Sequence, residues 1–328
     1  MIEKEGLKTE IISLFLNNLP IVFNPNLSQR KETMKRTFSI IGAGLAGCVI
    51  ARKLADEGHK VVLYEKEHIG GLCRDNENYQ EFTHIFHTNK KEIYEYIKQY
   101  AEIRPYIHFV MSYTNGRYYL FPPEQMTDEL FNRLMVGYSL KMWGDLPSEE
   151  ARNRIKHTNG SYFNDIYQGI INFRQLFSNL TKNITIIKNK IGCYHLLDGE
   201  IILTGAIDEY FDYCFGNLPY AGMKSTHCKS ETRLPVGAIH FPDMNDPYVR
   251  MIDYDKYGYK GGYIGIEFPD KSAKHYPVRN ELSMKLYNKY KKIADKEGII
   301  LAGRLGTFSY FDIDTTIINA LEVAKCIL

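Results

Sequence analysis

The sequence predicts an α/β protein whose Rossmann-like dinucleotide-binding domain is split along the chain by an inserted antiparallel β-sheet domain and a reduced helical lobe. Three observations predict it. The run Phe38-Ser-Ile-Ile-Gly-Ala-Gly-Leu-Ala-Gly47 passes from an apolar strand through a glycine-rich turn into a helix. A second apolar run, Val61-Val-Leu-Tyr-Glu65, ends in an acid. Short strand patterns with turn signals fill the middle of the chain, and a strand followed by a helix closes it.

Residues 35–75 form the first βαβ unit. Gly42 permits the tight turn, Gly44 lets a pyrophosphate approach the backbone, and Gly47 lets the helix lie against the strand. The helix N-terminus presents unpaired N–H groups and about half a positive charge to phosphates. Glu65 follows Gly47 by 18 residues, where a carboxylate can bind ribose hydroxyls. This motif does not separate NAD from FAD. The second cluster, Ile69-Gly70-Gly71, favours FAD because it lets the chain pass close to a flavin nucleotide.

Further along, Ile93, Tyr96 and Ile97 give helical spacing to Lys90–Ala101. Tyr106–Ser112 and Arg117–Phe121 flank Asn115-Gly116, a hairpin signal, and Pro122-Pro123 ends that element. Thr127–Leu140 reads as a helix, and the polar, charged segment 147–160 as a mobile loop or short helix. Ile184–Lys188 and Glu200–Leu203 read as strands returning to the nucleotide domain. Gly237–Phe241, Tyr248–Ile252 and Tyr263–Phe268 read as an antiparallel sheet. Glu281–Lys296 is a lysine-rich helix with apolar positions Leu282, Leu286 and Ile293. Ile299–Gly303 is a last buried strand, and Thr316–Cys326 a closing helix.

Composition narrows the function. The chain has 328 residues, 44% of them hydrophobic, enough for a real core. A net charge of +2 gives no reason to expect nucleic acid as a partner. The apolar stretch 11–23 is broken by Asn17, Asn18 and Pro20, too short and interrupted for membrane insertion, and it lacks the marks of a signal peptide. Six scattered cysteines without a C-x-x-C pair argue against a metal site and fit a reduced, cytoplasmic protein, with Cys48 expected to be buried. Tyrosine is abundant, with 25 residues, against the single Trp143.

At His84-Ile-Phe-His87-Thr88-Asn89 the sequence begins to resemble the bacterial UDP-galactopyranose mutases. The resemblance continues through Gly137-Tyr138, Trp143-Gly144, Tyr162-Phe-Asn-Asp, Thr204-Gly205-Ala-Ile-Asp208, Pro247-Tyr-Val-Arg250, Tyr276-Pro-Val and Gly303-Arg304-Leu-Gly-Thr-Phe-Ser-Tyr310-Phe-Asp312, in family order from about residue 36 to the C-terminus. It implies an isomerase that uses reduced FAD. In that chemistry the flavin N5 attacks the anomeric carbon of UDP-galactopyranose and UDP departs. The sugar opens as a flavin iminium and recloses to UDP-galactofuranose, a precursor for cell-surface polysaccharide.

The resemblance also assigns residues. Arg250 grips the diphosphate, and Arg154, with Arg152 as competitor, is the mobile second arginine. Tyr162, Tyr276 and Tyr310 hydrogen-bond the phosphates, with Asp312 beside the diphosphate and flavin. Tyr138 and Trp143 stack on uracil. His87 lies beside the flavin, His84 serves the cofactor site structurally, and Arg304 approaches FAD. The organisation it implies is an N-terminal extension of no assigned role (1–34), an FAD domain in three parts (35–104, 184–222, 281–328) and a sheet segment (105–121). A helical lobe with the arginine loop (122–161), a substrate segment (162–183) and the antiparallel substrate sheet (223–280) complete it.

Departures from the family cluster around the substrate. One short helix replaces a multi-helix lobe that often makes the dimer interface, which leaves the oligomeric state open. Phe121-Pro-Pro-Glu124 replaces Leu-Pro-x-Asn, Ala221 replaces an arginine that Lys224 could restore elsewhere, and Thr83 replaces a proline. Another UDP-sugar, such as UDP-N-acetylgalactosamine or a UDP-pentose, is therefore the alternative substrate. A flavin oxidoreductase and a non-catalytic UDP-sugar binder are the remaining alternatives.

Overall fold

The structure, a computed structural model, describes residues 35–145, 161–188 and 197–328. All elements below lie within the compact unit Arg36–Leu328. In chain order the first are β1 (Thr37–Ile41), α1 (Leu45–Asp56), β2 (Lys60–Glu65), β3 (Phe86–Thr88), α2 (Lys91–Lys98) and β4 (Ile103–Pro105). Then come β5 (Val110–Thr114), β6 (Arg117–Phe121), α3 (Asp128–Phe131), a π turn over Asn132–Val136, α4 (Gly137–Trp143), β7 (Tyr167–Ile171) and α5 (Phe173–Leu180). Next are β8 (Thr185–Lys188), β9 (Glu200–Leu203), α6 (Ile207–Tyr210), β10 (Tyr220–Ala221), β11 (Met223–Lys229), β12 (Ala238–His240) and β13 (Arg250–Asp253). The last are β14 (Tyr263–Pro269), β15 (Tyr276–Pro277), α7 (Glu281–Lys296), β16 (Ile300–Leu301), α8 (Gly303–Gly306) and α9 (Ile313–Ile327).

The nucleotide sheet is parallel, in the order β16-β9-β1-β2-β8. β1 is central and covered on both faces, so Phe38, Ile40 and Ile41 are all buried and the one polar side chain among them, Ser39, donates to the Asp198 carbonyl at 2.8 Å. α1, α5 and α9 pack on one face through Val49, Ile50, Phe173, Leu176, Ile317 and Ala320. On the other face Ile41, Leu203 and Ile207 meet Tyr287, Tyr290 and Phe308. Counted in chain order its strands run 3-2-1-4-5, the Rossmann order without a sixth strand.

Four features differ from expectation. The inserted six-stranded sheet, β11-β14-β13-β12-β5-β6, is mixed, because β12 runs parallel to β5. The segment 162–183 divides: β7 forms a small antiparallel sheet with β3 and β4, and α5 fills the nucleotide core. On α7 the buried residues are Ser283, Tyr287, Tyr290 and Ala294, whereas Leu282 is 77% exposed. The Tyr290 ring is interior while its hydroxyl donates to the Gly216 carbonyl at 2.6 Å, so tyrosine takes the place that an aliphatic count gives to leucine. The strand expected over Ile299–Gly303 is confined to Ile300–Leu301, and the chain turns at once into α8.

Candidate active site

The glycine loop joins β1 to α1. Gly42 has φ +102°, and a Cβ there would come within 2.6 Å of Thr204 Oγ1. A Cβ on Gly47 would lie 2.0 Å from the Gly42 carbonyl, so only glycine lets α1 start this close to the strand. A Cβ on Gly44 would meet nothing within 4 Å, leaving its backbone open to a ligand. α1 has neither a side-chain cap nor an acid in its first turn, so its leading N–H groups are available to an anion. Gly70 bridges to Gly44, and its N–H donates to the Ala43 carbonyl at 2.8 Å. With Gly71 at φ +57°, this second glycine pair forms a wall of the cradle. Glu65 accepts the Ala43 N–H at 2.8 Å and the Glu67 N–H at 2.7 Å. A carboxylate has about four acceptor sites, so lone pairs remain for ribose hydroxyls. An open backbone, an uncapped helix start and a half-buried acid together fit the ADP portion of a dinucleotide.

The inserted sheet carries a polar row. Strand register places Tyr119, Ser112, His240, Arg250, Glu267 and Ser225 side by side on one face. The neighbouring row on that face holds Val110, Ala238, Ile252 and Gly265 and ends at His227, so the polar band borders a mostly apolar row. Glu267 is 0% exposed and anchors Arg250, accepting from Nε at 2.6 Å and also from Nη2. A buried carboxylate needs such a partner. It also accepts the Thr83 N–H at 3.2 Å, a bond that a proline at that position could not donate. Arg250 Nη2 additionally contacts Met223 Sδ at 3.4 Å.

Aromatic residues surround this row. Tyr138 stacks on His240 with ring centroids 5.0 Å apart, and Tyr162 meets His240 edge-on. Tyr138 and Tyr276 pack in one cluster with Met223, the residue Arg250 touches. Trp143 is 40% exposed and lies edge-on to Tyr276 at 5.5 Å. Tyr276 stacks on Tyr310 at 5.8 Å, with the Arg304 guanidinium over both rings at 5.0 and 5.1 Å. Arg304 also donates to the carbonyls of His275 and Phe311, tying α8 to β15. Tyr310 donates to Asp312 Oδ1 at 2.8 Å. Asp312 occupies the N-cap position of α9 without a side-chain capping bond, so its carboxylate faces Tyr310 rather than the helix.

The His87 ring stacks on Phe163 at 3.8 Å, and its Nδ1 pairs with Asp165 at 2.9 Å. Asn89 donates to the other Asp165 oxygen at 2.8 Å. Asp165 thus fixes the imidazole orientation and leaves Nε2 for a ligand. His84 is structural: its Nδ1 donates to the Phe82 carbonyl at 2.9 Å, and burial pushes its pKa down to about 4, which keeps it neutral. His108 and His240 are likewise held neutral, by burial first and then by the Arg250 charge, with His108 lowered to about 3. Burial raises the hydroxyl pKa values of Tyr162 and Tyr276, so both remain donors at neutral pH.

The expected set is therefore largely assembled, except that Arg154 and Arg152 lie outside the described residues. Residues 1–34 and the segment 147–160 lie outside them as well. Glu124 is exposed, and Lys224 is exposed on the face opposite Arg250, where it does not replace the arginine lost at Ala221. Sequence reasoning missed Glu267, His240, His108 and Asp165. Glu267 had a signal: a charge in the middle of the strand Tyr263-Ile-Gly-Ile-Glu-Phe requires a buried partner. Nothing in the local pattern marks the histidines. Among the described residues no cluster could hold a metal ion, and no helix is long and apolar enough to cross a membrane.

Comparison with known proteins converges on the same chemistry. The profile of the UDP-galactopyranose mutase family matches residues 133–310, more than half of the chain, and that of Rossmann-like NAD(P)-binding domains matches residues 40–100. A probable UDP-galactopyranose mutase of Klebsiella pneumoniae is 26% identical over 362 residues, covering 88% of this chain and 94% of its own length. The dTDP-fucopyranose mutase of Escherichia coli is also 26% identical, over 364 residues, with 87% and 97% covered. Among solved structures, a Pyrococcus furiosus protein aligns with a TM-score of 0.54 at 12% identity, covering 89% of this chain and 97% of its own. A redesigned putrescine oxidase aligns at 0.52 and 11%, covering 90% and 99%. These two likenesses show the fold alone. The family match carries the identification, and the chain belongs to the UDP-galactopyranose mutase family.

Proposed function

We propose that the protein interconverts the pyranose and furanose forms of UDP-galactose, with FAD held in the glycine cradle and working in its reduced form. The observation that carries this reading is Arg250, fixed by Glu267 in the polar row, with Tyr138, Tyr162 and Tyr276 beside it and Tyr310 stacked on Tyr276. Such a site offers one rigid cation and several neutral donors to a diphosphate. Reduced FAD, when bound, supplies a nucleophilic nitrogen for the anomeric carbon.

The chain's own residues do the rest. Arg250 binds the diphosphate, whose charge grows as it leaves the sugar. Its ion pair with Glu267 holds the guanidinium in place, so little side-chain entropy is lost on binding. Tyr162 and Tyr276 donate hydroxyl protons to phosphate oxygens, and the Tyr310 hydroxyl, which donates to Asp312, exchanges that acceptor for a phosphate oxygen when substrate binds. Tyr138 and Trp143 offer rings to uracil. His87, held by Asp165, presents Nε2 to the flavin, and Arg304 places its charge beside the cofactor. These roles retain UDP while the sugar ring opens and recloses, as a mutase requires.

A second reading, the same reaction on another nucleotide sugar, is favoured by the E. coli dTDP-fucopyranose mutase, as similar as the galactose enzyme. The experiment is incubation of dithionite-reduced protein with UDP-galactopyranose, followed by anion-exchange separation. The expected product is UDP-galactofuranose, formed only by reduced protein and abolished in Arg250→Ala, which retains its flavin. No product despite normal flavin content and UDP binding moves the reading to dTDP-fucopyranose, run in parallel. A protein that carries no flavin refutes both.

A further inference from the structure

We propose that Lys141 is a positioning residue for the nucleotide end of the substrate, setting the helix that carries Tyr138 and Trp143 against the strand that carries Arg250. The inference rests on the nucleotide-sugar reading of the site. Lys141 lies on α4, between the two aromatic residues assigned to the base. Four backbone carbonyls, those of Phe241, Asp243 at 2.9 Å, Asp246 at 3.2 Å and Tyr248 at 2.8 Å, converge on its ammonium and share its three N–H bonds. All four belong to the loop between β12, which ends at His240, and β13, which begins at Arg250. The loop is folded around the ammonium as around a bound cation.

Two further contacts make this joint rigid. Gly137 lies so close to the same loop that a Cβ there would be 2.0 Å from the Pro242 carbonyl. On its far side the loop is tied to the β5–β6 hairpin, where Asp243 accepts the Thr114 hydroxyl at 2.5 Å and the Asn115 N–H at 3.4 Å. The distance from the base platform to Arg250 is therefore set through Lys141. Lysine suits the task because three tetrahedral N–H bonds can converge on carbonyls from several directions, while the planar guanidinium of arginine cannot. Displacements of about 1 Å in such a frame cost up to roughly a hundredfold in substrate use.

The test compares flavin-loaded full-length protein with Lys141→Met and Lys141→Arg. Trp143 is the single tryptophan, so its emission reports on α4 directly. We expect both variants to keep their flavin, to shift the Trp143 emission, and to bind UDP about tenfold to a hundredfold more weakly. KM for the sugar nucleotide should rise by a similar factor, with a much smaller change in kcat. Unchanged UDP affinity and emission in a folded Lys141→Met protein overturns the proposal. Full rescue by Lys141→Arg also overturns it, because charge alone would then suffice. If Lys141→Met does not fold, Lys141→Arg decides by the same readings. If the wild-type protein does not bind UDP, the nucleotide-sugar reading fails instead, and the emission shift alone decides the structural joint.

Discussion

Replacing Glu267 with glutamine removes the countercharge of Arg250 without changing the shape of the site. The wild-type pair is well formed, with Arg250 Nε 2.6 Å from a carboxylate that is 0% exposed and also accepts the Thr83 N–H. Breaking one partner of such a pair costs about 3–5 kcal/mol, because the Arg250 side chain, only 19% exposed, is left without its countercharge. For a chain of this size each kcal/mol moves Tm by roughly 2 °C, so the expected loss is about 6–10 °C in a thermal melt. A diphosphate would then supply the missing negative charge. Saturating UDP should therefore raise the Tm of Glu267→Gln more than that of the wild type. The double variant Arg250→Met/Glu267→Gln should recover most of the lost stability, since neither charge remains. A Tm change below about 2 °C in Glu267→Gln, or additive losses in the double variant, would refute the coupling between these residues.

Two further outcomes follow from the site. Gly44→Ala should fold normally but lose flavin affinity, because its Cβ meets no protein atom yet stands where a diphosphate approaches. Gly47→Ala should fail to fold stably, with a Cβ 2.0 Å from the Gly42 carbonyl. Flavin absorbance and a melt of each purified variant separate the two effects, and equal behaviour contradicts the assignment of the glycines. Stability should also fall in mild acid. Burial lowers His84 and His275 to about 4 and His108 to about 3, below their unfolded values, so the unfolded chain takes up protons first. Stability is then full above about pH 6.5 and declines as pH falls toward 4, by up to about 3 kcal/mol for His275. His275→Asn, which still offers an acceptor to the Met223 N–H bonded to His275 Nδ1, should flatten the urea midpoint between pH 7 and 5. A midpoint already flat in the wild type contradicts the assignment.

The sequence by itself determined the nucleotide domain. Its signals lie within one βαβ unit: a glycine with positive φ, a glycine under the Gly42 carbonyl, and an acid at a strand end that accepts the Ala43 N–H are all contained in residues 37–65. The hairpin at Asn115-Gly116 and the helix Glu281–Lys296 were legible for the same reason, since turn chemistry and caps act within one turn of chain. The family resemblance added the identities of Arg250, Tyr276, Tyr310 and Asp312, though not their surroundings. Only tertiary structure decided that Arg250 is neutralised by Glu267, that His240 and His108 stand neutral beside it, and that Asp165 holds His87. These pairings join residues on separate strands or far apart in the chain, and sheet register, a long-range property, brings them together. The inner face of α7 was misjudged because tyrosines bury their rings there, a choice made by the carbonyl of Gly216 rather than by hydropathy. Lys141 was silent for a like reason. One lysine on a helix is an ordinary surface charge until a loop from a hundred residues away closes four carbonyls around it.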